Sequence, residues 1–332
     1  MTEGVGGHRS SVIGLRWSAA LVARALAHTA FVCTAVSLGA QASRRVDSSA
    51  AEHSIAVGRP DDAESALYAA SARAPREPSA RAALGAFLAS RGHLKVGAVL
   101  LEEARQFGGD AKAISARLKH VYAWTGEWQL IPAPQGAAAL PEPDAARVRW
   151  LAAHAATRAG PDSSAVSLEP NEVFGLGRIA LVLGGTTVTA DIDPNVEGIL
   201  LPATMENMAA LERFGSTGDT TLAVALRVGI GVQVLSNVPA RLEPDTRVRV
   251  GLDVLAAMKP TFDLATHRLT LRPAAKEQDP GEAIPFLLGF PGVRIVPRRG
   301  SAPVAIESSA GRAALRGGPW TFDLRHGVIT RG

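Results

Sequence analysis

The chain is almost without cysteine: among 332 residues Cys33 is the single one. No internal disulfide and no thiolate metal site can be built from it. The eight histidines are scattered, with no HExxH or paired-ligand spacing, so neither a metal nor a cofactor is expected. Charge of one sign is scarce as well. Lys plus Arg total 35 against 31 acidic residues, a net of +4, and Arg44-Arg45 and Arg298-Arg299 stand as isolated pairs. No basic stripe interleaved with aromatics occurs, which argues against nucleic acid as a partner. Phosphate-loop glycines are also missing. Gly184-Gly185, Gly229-Ile230-Gly231 and Gly317-Gly318 have neither a following lysine nor dinucleotide-binding spacing, and Ser308-Ser309 lacks the context of a nucleophile elbow.

What is present starts with hydrophobic residues, 47% of the chain, enough for two ordinary cores. Residues 1–42 read as an export signal. Arg9 and Arg16 give a positive lead, Ala25 to Ala40 is mostly apolar, and Ala40-Gln41-Ala42 offers small residues for a signal peptidase. The expected product is exported, periplasmic or secreted. Arg24 and His28 interrupt the stretch that begins at Trp17 and weaken a spanning helix, because charge in hydrocarbon is costly. Left uncleaved, residues 17–40 would be a membrane anchor, the sole route to a membrane partner.

Residues 43–160 carry a helical pattern. Gly58, Gly92 and Gly126 recur every 34 residues, each between two helical-looking segments. Leu84, Gly85 and Leu88 share one side of the first helix in the middle unit; Gly97, Leu101 and Ala104 share one side of the second. Ala63, Leu67 and Ala70 repeat the latter pattern, and Pro75 then stops the helix. Period and small-residue placement resemble the tetratricopeptide repeat (TPR). Three units would cover roughly 44–130, the last matched least because Lys119 stands at a small-residue position, and a helix over Asp144–Arg158 is expected to cap them. The resemblance implies a scaffold that binds a peptide or partner protein, and no chemistry.

After Gly160 the composition changes. A linker over 161–171 leads into short strands over 172–273, with a hairpin at Gly184-Gly185, a short helix expected over Met205–Phe214 and a second hairpin around Gly229-Ile230-Gly231. Asp193-Pro194-Asn195 follows the apolar run Val188–Ile192 and precedes Ile199-Leu200-Leu201-Pro202. Gly251-Leu252-Asp253-Val254-Leu255 comes later, then Phe262-Asp263 and Leu269-Thr270-Leu271. In this order the segments resemble the retropepsin-like aspartic peptidases, whose loop reads Asp-Thr-Gly and whose second glycine turn reads Gly-x-Asp. The resemblance implies an all-β acid-protease-like unit with Asp193 as the catalytic carboxylate. Pro194 and Asn195 would complete the active-site loop, and Gly251 and Asp253 a structural glycine turn. Asp253 is expected to cap a short helix over Val254–Met258.

That chemistry needs two carboxylates sharing one proton. The domain offers one, so the partner would be Asp193 of a second copy across a two-fold axis; Asp191, two residues earlier on the strand, does not substitute. Pro194 has neither hydroxyl nor amide hydrogen, while Asn195 can replace glycine where positive φ is needed. Purely local chemistry also favours a turn at these three residues. Residues 274–332 read as a C-terminal β extension after a charged loop at 274–282, with strands that include Ala313-Ala314-Leu315. Thr321-Phe322-Asp323-Leu324 echoes Thr261-Phe262-Asp263-Leu264.

The whole is thus a multidomain α plus β chain, a TPR-like α-solenoid followed by a retropepsin-like β domain. Two functions stay open: an exported aspartic-type endopeptidase with a degenerate motif, or a non-catalytic binding protein using an inactive protease-like domain. In either case the partner is a peptide or protein. Sequencing the N-terminus of protein recovered from its native host should find a start near Ser43; intact Met1 on cytoplasmic material would contradict the export signal.

Overall fold

Proline, aspartate and glycine set the helix limits before any long-range contact is made. In the computed structural model, the described residues are 50–131, 140–171, 176–208, 210–244, 246–272, 283–290 and 292–331. They lie in one compact unit, Asp47–Gly332. The export segment 1–42, with Cys33, and the charged loop 274–282 fall outside the described residues.

Six helices come first: α1 (50–56), α2 (Pro60–Arg73), α3 (Pro78–Ser90), α4 (Leu94–Gln106), α5 (Ala111–Thr125) and α6 (Glu142–Ala153). Proline opens α2 and α3, where its missing N–H costs nothing. Asp110 caps α5 by accepting the amides of Lys112 at 3.0 Å and Ala113 at 3.1 Å. The three periodic glycines all take left-handed φ, +68° at Gly58, +83° at Gly92 and +76° at Gly126, as the tight helix-to-helix turns require. Between α3 and α4 the contact is backbone against backbone: a methyl at Gly97 would lie 2.7 Å from the Gly85 carbonyl oxygen. The small residues are therefore there for close approach.

The helix pairing changes after α5. A single 3-10 turn at Trp128–Leu130 follows instead of a second long helix. The helix expected over Asp144–Arg158 is α6, and it ends at Ala153. The chain leaves it to make strand β1 (Thr157–Ala159), which needs its backbone groups for pairing. Lys119 pairs with Asp144, which also accepts from Arg147 at 2.9 Å. The lysine that disturbs the small-residue pattern thus ties α5 to α6.

Strands β2 (Ser164–Ser167), β3 (Arg178–Leu183), β4 (Thr186–Ile192), β5 (Ile199–Pro202), β6 (Leu211–Thr217), β7 (Thr220–Ile230), β8 (Gln233–Glu243) and β9 (Arg249–Val250) follow. Pairing runs β8-β5-β9-β4-β3-β7 and returns from β7 to β8, so six strands close a barrel and leave no edge among themselves. Its interior is apolar: Ile179, Leu181, Ile192, Leu201, Val228, Ala240 and Val250 are all buried. Helix α7 (Leu252–Ala256) leads to β10 (Thr261–Asp263) and β11 (Arg268–Leu271). The C-terminal segment gives β12 (Ala283–Ile284), β13 (Phe286–Leu288), β14 (Val293–Ile295), β15 (Val304–Ala305), α8 (Ser309–Leu315), β16 (Trp320–Asp323) and β17 (Val328–Arg331). A second sheet orders β12-β17-β16-β10-β11-β2, and β13-β14-β15 form a third. No helix among the described residues is long and apolar enough to cross a membrane.

Four local expectations are corrected. The stretch Met205–Phe214 is not a helix: one 3-10 turn covers Ala203–Met205, and β6 then pairs with β7. Its apolar spacing fits a helix, but Phe214 meets Trp150 of α6 at a centroid distance of 6.0 Å, and tertiary contact decides. The span 161–171 carries β2, which pairs with β11. Ala313-Ala314-Leu315 is the end of α8 rather than a strand, because Ser308 accepts the Gly311 amide and starts a helix. The last correction, at Asp253, belongs to the site.

Candidate active-site loop

The six residues Asp193 to Gly198 connect β4 to β5, and β9 lies between those two strands. Asp191 and Ile192 pair in parallel with Arg249 and Val250, while Ile199 and Leu200 pair antiparallel with the same two residues. The loop therefore straddles the end of β9. Two backbone bonds hold it there: the Asp193 amide donates to the Val250 carbonyl at 3.0 Å, and the Gly251 amide to the Gly198 carbonyl at 2.8 Å. Gly251 can carry no side chain at this crossing. A Cβ would sit 2.2 Å from the Val196 carbonyl oxygen, which accounts for the glycine in the second motif.

Asp193, Pro194 and Asn195 make a turn by local chemistry. The Val196 amide donates to the Asp193 carbonyl at 3.2 Å, and the Asn195 amide to Asp193 Oδ1 at 2.9 Å. This is an Asx-type turn with proline at its second position. Asn195 is not among the described residues with positive φ, so it does not stand in for glycine through a left-handed conformation. The other oxygen of Asp193, Oδ2, faces Arg249 Nη1 at 3.3 Å. The aspartate is 3% exposed, and so is Asp191. Asp191 takes a different partner, accepting from Asn171 Nδ2 at 2.6 Å, so the two carboxylates are not arranged as a pair.

Asp253 corrects the capping expectation. The residue at the start of α7 is Gly251, and Asp253 lies inside the first turn. Both of its carboxylate oxygens accept from the Gly198 amide, at 3.1 and 2.9 Å. The side chain thus closes the far end of the Asp193 loop. Burial pushes its carboxyl up to about 7; the Gly198 amide opposes the shift and the charge on Glu197 adds to it. Glu197 is moved the other way. Burial would raise it, but the bond from His120 and the charges of His120, Lys119 and Arg241 hold it below its usual range. His120 Nδ1 and Glu197 Oε1 lie 2.5 Å apart, linking α5 to the loop.

The segment across the loop is the one the sequence pattern did not single out. Phe290 and Gly292 stand between β13 and β14, and the Gly292 amide donates to the Pro194 carbonyl at 2.9 Å. Asn195 Nδ2 donates to Glu307 Oε1 at 3.0 Å. Phe290 stacks near His120 at 6.2 Å and meets Trp124 edge-on at 5.9 Å. Two pairs of strands are thus brought together at their connections, β4 and β5 through Pro194, β13 and β14 through Gly292; in sequence the connections begin Asp193-Pro194-Asn195-Val196 and Phe290-Pro291-Gly292-Val293.

The likeness continues downstream. A short helix followed by two hairpin strands occurs twice, as α7-β10-β11 and as α8-β16-β17. Their first strands pair antiparallel with Thr261 opposite Thr321. The two threonine hydroxyls lie 2.8 Å apart and the Phe262 and Phe322 rings 4.9 Å apart. Like residues meeting like across an antiparallel pair define a local two-fold axis. Residues His120, Glu197, Arg249, Phe290, Gly292 and Glu307 are the part of the site that sequence reasoning missed. The available signal was the shared Pro-x-Val after each turn, together with the repeated Thr-Phe-Asp-Leu.

Two openings flank this region. One of about 330 Å³ touches Glu197, Gly198 and Asp253. A larger one of about 620 Å³ beside Asn171, Gly177 and His267 includes no residue of the Asp193 loop. Among the described residues no cluster of His, Cys, Asp and Glu could hold a metal ion.

No family model matches the chain, and no curated protein matches it. Among solved structures, a retropepsin-like aspartic protease from Rickettsia conorii is similar over 36% of this chain and 94% of that chain, with 12% identity and a TM-score of 0.26. At that level of likeness the site rests on its own geometry.

Asp253 gives the loop a pH dependence with a defined sign. Its folded carboxyl, at about 7, holds a proton that the unfolded chain releases near pH 4. Stability from this group therefore falls as pH rises between about 4 and 7, by at most about 1.4 kcal/mol per unit. Asp144 and Glu197, both lowered, act in the opposite sense and only as pH falls through the ordinary carboxylate range. Urea unfolding at pH 5 and pH 8 should show wild type losing stability at pH 8 and Asp253→Asn losing much less. An equal loss in both would contradict the assignment.

Proposed function

We propose that this chain is a non-catalytic protein-binding or scaffold protein, built on a retropepsin-like β unit to which TPR-like helices are clamped. The observation that carries the reading is what stands opposite Asp193. An acid peptidase activates water between two carboxylates, one holding the proton the other lacks. The loop across from Asp193-Pro194-Asn195 comes from the same chain and reads Phe290-Pro291-Gly292, with phenylalanine where the first loop has its aspartate. The seat that a second subunit's loop would take is thus filled from within, so the reading calls for no homodimer.

The commitments of Asp193 support the same conclusion. One oxygen is used by the Asn195 amide and the other faces Arg249. With 3% exposure the side chain has little contact with bulk water to deliver to a peptide bond. General base catalysis needs a carboxylate within reach of its water and free to accept the proton. In this reading the degenerate motif has kept the aspartate because the turn and the ion pair need it. The bound partner is a peptide or protein, met outside the cell membrane if residues 1–42 direct export.

A peptide-library digestion at acid pH decides between the two functions. Protein lacking residues 1–42 and its Asp193→Asn variant should both show only background cleavage, at every protein concentration tested. Cleavage by the first that vanishes in the second would overturn the proposal and make the chain a peptidase.

A further inference from the structure

The opening of about 620 Å³ beside His267 lies where the first β unit meets the extension. Its walls include residues 168–171, the hairpin turn between β10 and β11, and α8. These elements are held firmly. The Leu168 amide donates to the His267 carbonyl at 2.9 Å, and α8 is seated so closely that a Cβ at Gly311 would lie 2.4 Å from the Ala305 carbonyl oxygen. The lining is open to solvent. Glu169, Pro170, His267 and Arg316 are exposed, and Leu264 and Arg312 are half-buried. The volume falls in the middle of the range for ligand pockets, about 300–1,000 Å³.

Positive charge predominates there. Arg312 and Arg316 stand four residues apart on helical backbone, so both side chains leave α8 on one side. Among the described residues the Arg316 side chain makes no ion pair or hydrogen bond, and neither does the His267 ring. Glu169, the acid of the wall, already faces Arg178 of β3 at 3.6 Å. The extension leans the same way: residues 283–331 hold seven arginines and no lysine against Glu307 and Asp323. Arginine rather than lysine suits planar, two-point recognition of a carboxylate. His267 adds a second peculiarity. Its φ is +53°, and the matching position of the second hairpin is Gly327 at +79°. A residue with a Cβ is disfavoured in that conformation, so the turn alone does not call for an imidazole.

We propose that this opening binds an acidic peptide segment. An Asp or Glu side chain of the segment is held by Arg316, in the positive field that Arg312 reinforces, and the His267 ring offers a further N–H. A neighbouring apolar side chain packs on Pro170 and Leu264. The site rests on the reading of the chain as a peptide- or protein-binding protein, and it gives that partner a chemistry: acidic and apolar residues side by side.

Calorimetric titration with the end-blocked peptide Gly-Glu-Leu-Glu-Leu-Gly, and with its counterpart carrying Gln for both Glu, tests the site. The acidic peptide should bind saturably and the Gln peptide at least about tenfold more weakly, as loss of a charge-assisted bond predicts. Arg316→Gln should weaken the acidic peptide by about tenfold and leave the Gln peptide unchanged. Arg316→Lys should give an intermediate loss, because the planar fork is gone. His267→Gly relieves the backbone, so it should unfold at no lower urea concentration than wild type while binding the acidic peptide about threefold or more weakly. No saturable binding up to about 1 mM, equal affinity for the two peptides, indifference to Arg316→Gln, or tighter binding of single-stranded oligothymidylate would each overturn the proposal. Mass spectrometry of the recovered peptide keeps the two readings apart. A cut peptide would overturn the non-catalytic reading, and the Arg316 comparison, repeated in Asp193→Asn protein, would then decide the site by the same outcomes.

Discussion

One hydrogen bond, from the Gly292 amide to the Pro194 carbonyl, joins two loops that the rest of the molecule is arranged to bring together. Each loop lies between two strands, and each pair of strands belongs to a different sheet. On the first loop nearly every polar group is engaged by a different part of the chain. Asp193 is held by its own turn and by β9, Asn195 by Glu307, Glu197 by α5 and Gly198 by Asp253 of α7. Moving the loop would disturb helices, barrel and C-terminal extension at once. The loop is a junction between these parts of the chain.

The local two-fold axis explains why the junction closes within one chain. The extension supplies its own turn, short helix and hairpin, and sets them against those that follow the first loop. Its turn carries Phe290 where the first turn carries Asp193. Phe290 packs against His120 and Trp124, so this turn anchors α5 through ring contacts. The helical part is consequently bound along one side to the β structure. Gly58 and Gly92 at its turns lie within van der Waals reach of Ser301 and Gly327 of the extension, and the Gly300 amide donates to the Gly58 carbonyl at 3.2 Å.

Much of this was legible in the sequence wherever the cause is local. The glycines at 58, 92 and 126 announce turns because few other residues take their φ, and Asp193-Pro194-Asn195 announces a turn through its own side chains. Gly251 could be located, although its reason, the Val196 carbonyl beneath it, is a tertiary fact. The misread elements are those where partners decide. Met205, Met208 and Leu211 have helical spacing, yet β7 recruits the chain at Leu211 as a strand. Asp253 looks like a cap because it stands at a helix start, but the amide it serves belongs to Gly198, far away in sequence. The second loop stayed hidden because it lacks the aspartate that marks the first. The extension also has no counterpart of β6 to β8 between β14 and β15, so its two echoes of the earlier sequence fall at different offsets.

The proposed function requires that Asp193 is retained to hold the junction. Catalytic groups are commonly kept at a cost in stability, so replacing one often stabilises the fold; removing one partner of a buried pair destabilises it. Equilibrium unfolding of wild type, Asp193→Asn, Arg249→Gln and the double variant at pH 7 measures the sign directly. Asp193→Asn should lose roughly 1–3 kcal/mol, discounted because Arg249 is partly exposed, with a positive coupling to Arg249→Gln. Unchanged or increased stability in Asp193→Asn, without coupling to Arg249, would contradict the account.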